Sequence, residues 1–148
     1  MIYLGADHRG YKLKEQIKKY LKDKGERIED LGTDSEAPVD YPIIAEKVAR
    51  KVAKDEDGRG VLMCGSGAGV AIVANKVGGV RATEGWNKQV TQAARNDDDV
   101  NVLCLSADAL ALDEAKELID VFLHTPFAGE ERHRRRLKEI REIEENDI

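Results

Sequence analysis

Short, nearly all-apolar runs alternate with amphipathic stretches from one end of this chain to the other, and few folds accept that alternation. Residues 2–5, 27–31, 60–64, 80–83 and 101–105 read as strands. Between them, Tyr11, Leu13, Ile17, Tyr20 and Leu21 follow a helical spacing, as do Ile44, Ala45, Val48, Ala49 and Val52. Residues 70–77 read as a helix apolar on most sides and therefore buried. Segments 90–96 and 113–124 supply two more helices, and 130–145 a long, charged terminal one. Strands that are almost wholly apolar need cover on both faces, which points to a parallel sheet with helices above and below. Right-handed crossovers then make an open, doubly wound, Rossmann-like α/β domain of about five strands. No repeat, low-complexity tract or boundary divides residues 1–148, so a single domain is expected.

Composition removes several function classes. The formal net charge of -5 gives no general support for nucleic-acid binding, so any basic site must be local. No window approaches the roughly eighteen apolar residues of a membrane span, and Met1-Ile2-Tyr3-Leu4 runs straight into charged residues, unlike a secretory signal. Cys64 and Cys104 both belong to strand-like runs, a poor framework for a disulfide and without metal-ligand spacing. A reducing cytoplasm, with no membrane partner and no metal, is the expectation.

In a doubly wound sheet, ligands sit beyond the C-terminal ends of the strands. Gly5-Ala6-Asp7-His8 and the segments 64–69 and 95–99 are all expected to face that crevice. The longest loop, Glu36-Ala37-Pro38-Val39-Asp40-Tyr41-Pro42, is a further candidate. Cys64-Gly65-Ser66-Gly67-Ala68-Gly69 is the sharpest local feature, since glycines let backbone amides close around an anion at a helix N-terminus. That anion could be a phosphate or a transient enediolate, or the turn could be purely structural. It matches neither a Walker loop nor a dinucleotide fingerprint. A thiol in the place of Cys64 can act as nucleophile or base, or simply close a buried strand. Cys104, inside a strand run, reads as core. Asp7 and His8 could bind a sugar phosphate, or Asp7 could cap the first helix. Arg132-His133-Arg134-Arg135-Arg136 is a basic cluster with Arg132 and Arg136 on one helical face, suited either to phosphate or to pairing with neighbouring glutamates.

Taken together and in order, these motifs resemble the ribose-5-phosphate isomerase B / galactose-6-phosphate isomerase family. Gly5-Ala6-Asp7-His8-Arg9-Gly10 with Leu13-Lys14 looks like its opening, and Asp40-Tyr41-Pro42 like its Asp-Tyr-Pro loop. The segment 64–69 with Ala74-Asn75-Lys76, then Gly79-Val80-Arg81-Ala82, Asn101-Val102-Leu103 and Arg132-His133 with Arg136, continue the match. The resemblance implies metal-free and nucleotide-free aldose–ketose isomerisation of a phosphorylated sugar. It implies that Cys64 shuttles a proton between C1 and C2. Ser66 and the amides of Gly65, Gly67 and Gly69 would stabilise the enediolate. Asp7 and Tyr41 would line the sugar site, and His8, Arg132 and Arg136 the phosphate. It also implies a site between two subunits, hence a homodimer or a dimer of dimers. Three positions depart from the family. Asp97 and Asp98 stand where it carries a ring-opening histidine and an oxyanion-assisting asparagine, and Asp108 where many members have an arginine. A member that binds a sugar phosphate without efficient turnover is the alternative these departures raise.

Overall fold

The strands and helices alternate without exception until the last two helices. They are β1 (Ile2–Ala6), α1 (Tyr11–Asp23), β2 (Ile28–Asp30), α2 (Tyr41–Ala53), β3 (Arg59–Cys64) and α3 (Ala68–Ala74), followed by β4 (Ala82–Glu84), α4 (Lys88–Asp98), β5 (Val102–Ser106), α5 (Leu112–His124) and α6 (Glu131–Asn146). The computed structural model describes residues 1–147. Its five strands form one sheet in the order β2-β1-β3-β5-β4, every pairing parallel. Among the described residues, no helix is long and apolar enough to cross a membrane.

The strands' two apolar faces are buried against different helices. Leu4, Val61, Met63, Leu103 and Leu105 pack with Ile17 and Leu21 of α1 and with Leu118, Ile119 and Phe122 of α5. Tyr3, Leu62, Cys64, Val102 and Cys104 pack with Ala45, Val48 and Ala49 of α2 and with Val70, Ala71 and Ala74 of α3. Both cysteines thus lie on the α2–α3 side. β1 feeds outward to β2, and the chain then returns across the sheet to β3. The strand order therefore reverses between β1 and β3, whose C-terminal ends carry Asp7-His8 and Cys64.

One helix and one placement differ from the sequence expectation. The helix expected over 70–77 begins at Ala68 and stops at Ala74. Asn75 ends it: its side-chain amide donates to the Ala82 carbonyl at 3.0 Å and accepts from the Ala82 N–H at 2.8 Å, tying the turn to β4. Residues 95–99 do not face the crevice within this chain. Crossover helices run opposite to the strands they connect, so the end of α4 lies at the N-terminal edge of the sheet. There Arg95 donates to the Val100 carbonyl just ahead of β5 at 2.6 Å. Along β5, at about 3.3 Å per residue, that edge is roughly 15 Å from the C-terminal one.

Candidate active site

At the C-terminal edge the loop 64–69 is shaped by its glycines. Gly67 has a φ of 80°, a left-handed conformation that a side chain would strain. That turn brings the Gly67 N–H to 3.2 Å from Cys64 Sγ, so the sulfur has a backbone donor. Gly69 is needed for a different reason. A Cβ there would lie 2.7 Å from Cζ of Tyr41, so the Tyr41 ring rests directly on the loop. Ser66 is exposed at the loop's crest, and its Oγ accepts from the Ala68 N–H at 3.2 Å.

The neighbouring strand ends complete this cluster. Asp7 is 5% exposed, and its Oδ1 accepts from the Arg9 and Gly10 N–H groups, each at 3.0 Å. It therefore fixes the turn after β1. It does not cap α1, whose N-cap is Gly10 with no side-chain cap bond. His8 Nδ1 lies 3.1 Å from the nitrogen and 3.2 Å from the oxygen of Val39, so the loop before α2 orients the ring. Tyr41, at the first position of α2, is 38% exposed.

The end of β5 pins the same loop from the other side. Cys64 O accepts from the Ala107 N–H at 2.9 Å, and Gly65 O accepts from the Asp108 N–H at 3.1 Å. Buried Ser106 Oγ adds a 2.7 Å bond to Gly65 O. Asp108 is not a free negative charge here, because its carboxylate is ion-paired with the Arg9 guanidinium. Sequence reasoning named Asp108 only as a departure and Arg9 only within a motif, and it missed that the two pair. The usable signal was a pair of opposite charges just beyond two strands that flank β3.

The N-terminal edge holds a second cluster. Arg95, 3% exposed, reaches Asp99 Oδ1 at 2.8 Å and the Thr125 carbonyl at 3.1 Å. Arg81 donates to the Asp98 and Asp99 carbonyls at 3.0 and 2.8 Å, so the end of α4 is locked. Asp97 Oδ1 accepts from Asn96 Nδ2 at 2.8 Å and faces His133 Nε2 at 3.7 Å. His133 is buried, and its Nδ1 has no hydrogen-bond partner. Asp98 is exposed. On α6, Arg132 pairs with Glu130 and both are half exposed, while Arg136 is exposed. The structure thus brings Asp7, His8, Tyr41, Cys64, Gly65, Ser66, Gly67 and Gly69 together. It groups Asp97, Asp98, Arg132 and Arg136 elsewhere.

The first cluster gathers a buried thiol, a loop shaped by its glycines and the polar side chains of Asp7, His8 and Tyr41. The second gathers the carboxylates of Asp97 and Asp98 with the arginines of α6. Cys104, one strand away, is 1% exposed, and burial pushes its thiol pKa far up, so it offers no thiolate. Among the described residues, no group of three or more His, Cys, Asp and Glu side chains could hold a metal ion.

The comparisons with known proteins bear on the whole chain. The model of the ribose/galactose isomerase family matches residues 2–140. Ribose-5-phosphate isomerase B of Escherichia coli is 38% identical over 144 residues, covering 97% of this chain and 96% of its own. The solved structure of that enzyme from Clostridium thermocellum superposes with a TM-score of 0.94 at 40% identity, over 98% of this chain and 97% of its own. The one from Mycoplasma genitalium, solved with bound ribulose-5-phosphate, gives a TM-score of 0.92 at 40% identity, over 97% and 95%.

Proposed function

The chain belongs to the ribose/galactose isomerase family and is an aldose–ketose isomerase of phosphorylated sugars, and on that premise we propose that it interconverts ribose 5-phosphate and ribulose 5-phosphate with Cys64 as the base. The observation that carries this assignment of the base is the Gly67 amide 3.2 Å from Cys64 Sγ, on a loop held by three hydrogen bonds from the end of β5. A proton shuttle between adjacent carbons needs one atom held still, and that loop holds it.

In the open-chain aldose the Cys64 thiolate removes the C2 proton. The electron pair forms the C1–C2 double bond, and negative charge develops on the former carbonyl oxygen. The amides of Gly65 and Gly69, with Ser66, donate to that oxygen, while the turn at Gly67 keeps its own amide on Cys64 Sγ. The thiol returns its proton to C1 as the O2 hydroxyl proton passes to O1, so that C2–O2 becomes the ketone and C1 carries the new hydroxyl, and no redox partner is required. Asp7 keeps its second carboxylate oxygen for a sugar hydroxyl, and Tyr41 walls the sugar site. His8, oriented by Val39, faces the phosphate.

Ring opening and phosphate grip call on the second cluster, which one chain leaves at its far edge. We therefore assign the working unit as a homodimer in which each site combines the C-terminal edge of one copy with Asp97, Arg132 and Arg136 of the partner subunit. Exposed apolar side chains on the face that would meet it support this: Ile43 on α2 is 56% exposed and Ile72 on α3 is 60% exposed. Asp97 supplies proton exchange with the ring oxygen, and Asp98, exposed beside it, adds negative charge that disfavours a tightly held enediolate. The two buried thiols suit a reducing compartment such as the cytoplasm.

The test is solvent deuterium incorporation into ribose 5-phosphate and a panel of pentose and hexose phosphates, followed by NMR. Incorporation at C2 of the aldose or C1 of the ketose is expected. Its absence across the panel, with binding retained, would establish the non-catalytic alternative.

A further inference from the structure

Three neighbouring strands, β1, β3 and β5, each deliver one residue to a single point above the sheet. Those residues are Arg9, Gly65 and Asp108. A Cβ built on Gly65 would lie 2.1 Å from Cζ of Arg9 and 2.5 Å from both Nε and Nη1. The guanidinium therefore occupies the place of the missing side chain, flat against the loop that carries Cys64. Its Nη2 is paired with the Asp108 carboxylate, and the Asp108 N–H is bonded to Gly65 O at 3.1 Å. The ion pair is thus registered to the loop backbone as well as to itself. A surface pair of this exposure, 56% and 54%, contributes little stability. A stability role does not account for a glycine kept clear beneath it.

We propose that Arg9, aimed by Asp108 across Gly65, is a positioning residue that receives the phosphate of the sugar. This rests on the reading of the Cys64 loop as the isomerisation site. The guanidinium has five N–H donors in a planar fork, and only Nη2 is engaged by Asp108. Both donor forks of a guanidinium, Nε–Nη2 and Nη1–Nη2, run through Nη2; Asp108 takes one Nη2 hydrogen, which leaves the other fork to grip two phosphate oxygens. Among the described residues of its own chain, the other basic group in this cluster is His8, whereas Arg132 and Arg136 lie at the opposite edge. Arg9 is therefore the one guanidinium that a single chain places beside its own Cys64 loop. It fixes the anionic end of the sugar relative to Cys64 before any partner arginine closes on it. Asp108, which stands where many members of the family have an arginine, here directs the cation.

The experiment compares the parent protein, Arg9→Ala and Arg9→Lys on ribose 5-phosphate and on unphosphorylated ribose, by solvent deuterium exchange at C2. For ribose 5-phosphate, Arg9→Ala should lower kcat/KM on the order of 10- to 100-fold, mainly through KM, as expected for a lost charged hydrogen bond. Exchange into ribose at high concentration should be unchanged, and Arg9→Lys should recover part of the loss. An equal fall on both sugars would make Arg9 a mere prop of the loop and overturn the proposal, as would no fall on either. If the parent protein exchanges neither sugar, the isomerase reading fails on its own. Calorimetric titration with ribose 5-phosphate and inorganic phosphate then decides: weaker binding of both by Arg9→Ala upholds the proposal, and equal affinity overturns it.

Discussion

The two edges of the sheet are built on different principles. At the C-terminal edge almost every functional group is fixed by buried backbone. Cys64 and Gly65 are pinned to β5, Asp7 is held by two amides, and Tyr41 rests on Gly69. At the N-terminal edge, the end of α4 is locked by Arg81 and Arg95, but the groups it presents are long or exposed. Arg132 is 52% exposed, Asp98 is exposed, and His133 Nδ1 lacks a partner. The difference suits what the proposed function asks of each edge. Moving a proton between adjacent carbons tolerates little misplacement, whereas gripping a phosphate through long-armed cations tolerates more. An edge fixed by backbone around Cys64 and an exposed, charged edge along α4 and α6 is the division this fold makes.

The sharpest way to break that division is at the two cysteines, which share a face of the sheet. Cys64→Ala should lower kcat on the order of 10²–10⁴-fold with a much smaller change in KM, because a base acts in the transition state. Cys104→Ala should leave kcat within about twofold. It should appear only in urea denaturation, as a loss of roughly 1 kcal/mol for one buried heavy atom. Undiminished deuterium exchange in Cys64→Ala would remove the base from the rigid edge.

The second measurement addresses the exposed edge. Arg132→Ala or Arg136→Ala should weaken sugar-phosphate binding by roughly 1.5–3 kcal/mol, the range for charged hydrogen bonds. If the two edges meet only across a dimer, mixed subunits carry a stronger signature. Cys64→Ala and the Arg132→Ala/Arg136→Ala double variant, each inactive alone, should regain about a quarter of parental activity after subunit exchange. Half of the dimers are then hybrid, and each hybrid has one intact site under two-fold symmetry. No recovery, or a stable monomer by light scattering at micromolar concentration, would mean the edges do not share a site.

How much of this was readable from sequence depended on the range of the interactions. The strands were legible because they are apolar on both faces, and residues 5–8 and 64–69 because strand ends at a reversal of order are where ligands bind. The end of α3 was not legible, since it is set by Asn75 bonding to Ala82 in another element. Residues 95–99 were assigned to the crevice because a motif shows its neighbours but not the direction of its helix. Arg9 and Asp108 are separated by 99 positions, and no local pattern announces such a pair.

The smallest expected effect comes from the charges beside the rigid edge, at the end of β2. Desolvation alone would raise the Asp30 pKa. The hydrogen bonds from Lys14 Nζ at 2.6 Å, Lys18 Nζ at 2.9 Å and the Gly32 N–H at 3.0 Å outweigh it and hold the carboxyl below its usual range. A carboxyl whose pKa is depressed by folding contributes stability above its unfolded value, near 3.8, and loses it as pH falls through the folded value. Lys14 is fully buried, but Glu15 Oε1 lies 2.9 Å from its Nζ and remains when Asp30 is removed. Asp30→Asn should therefore destabilise by only about 1 kcal/mol at neutral pH. The gap between parent and variant should narrow as the parent's own Asp30 is protonated below pH 4, read by urea denaturation from pH 3 to 7. On the exposed surface of α6, Glu131→Gln breaks a pair to Arg135 that is 53% and 79% exposed, and should shift stability by less than roughly 0.5 kcal/mol. Curves for parent and Asp30→Asn that stay parallel through the acid range would show that the ion pairs at this edge are no more structural than those on α6.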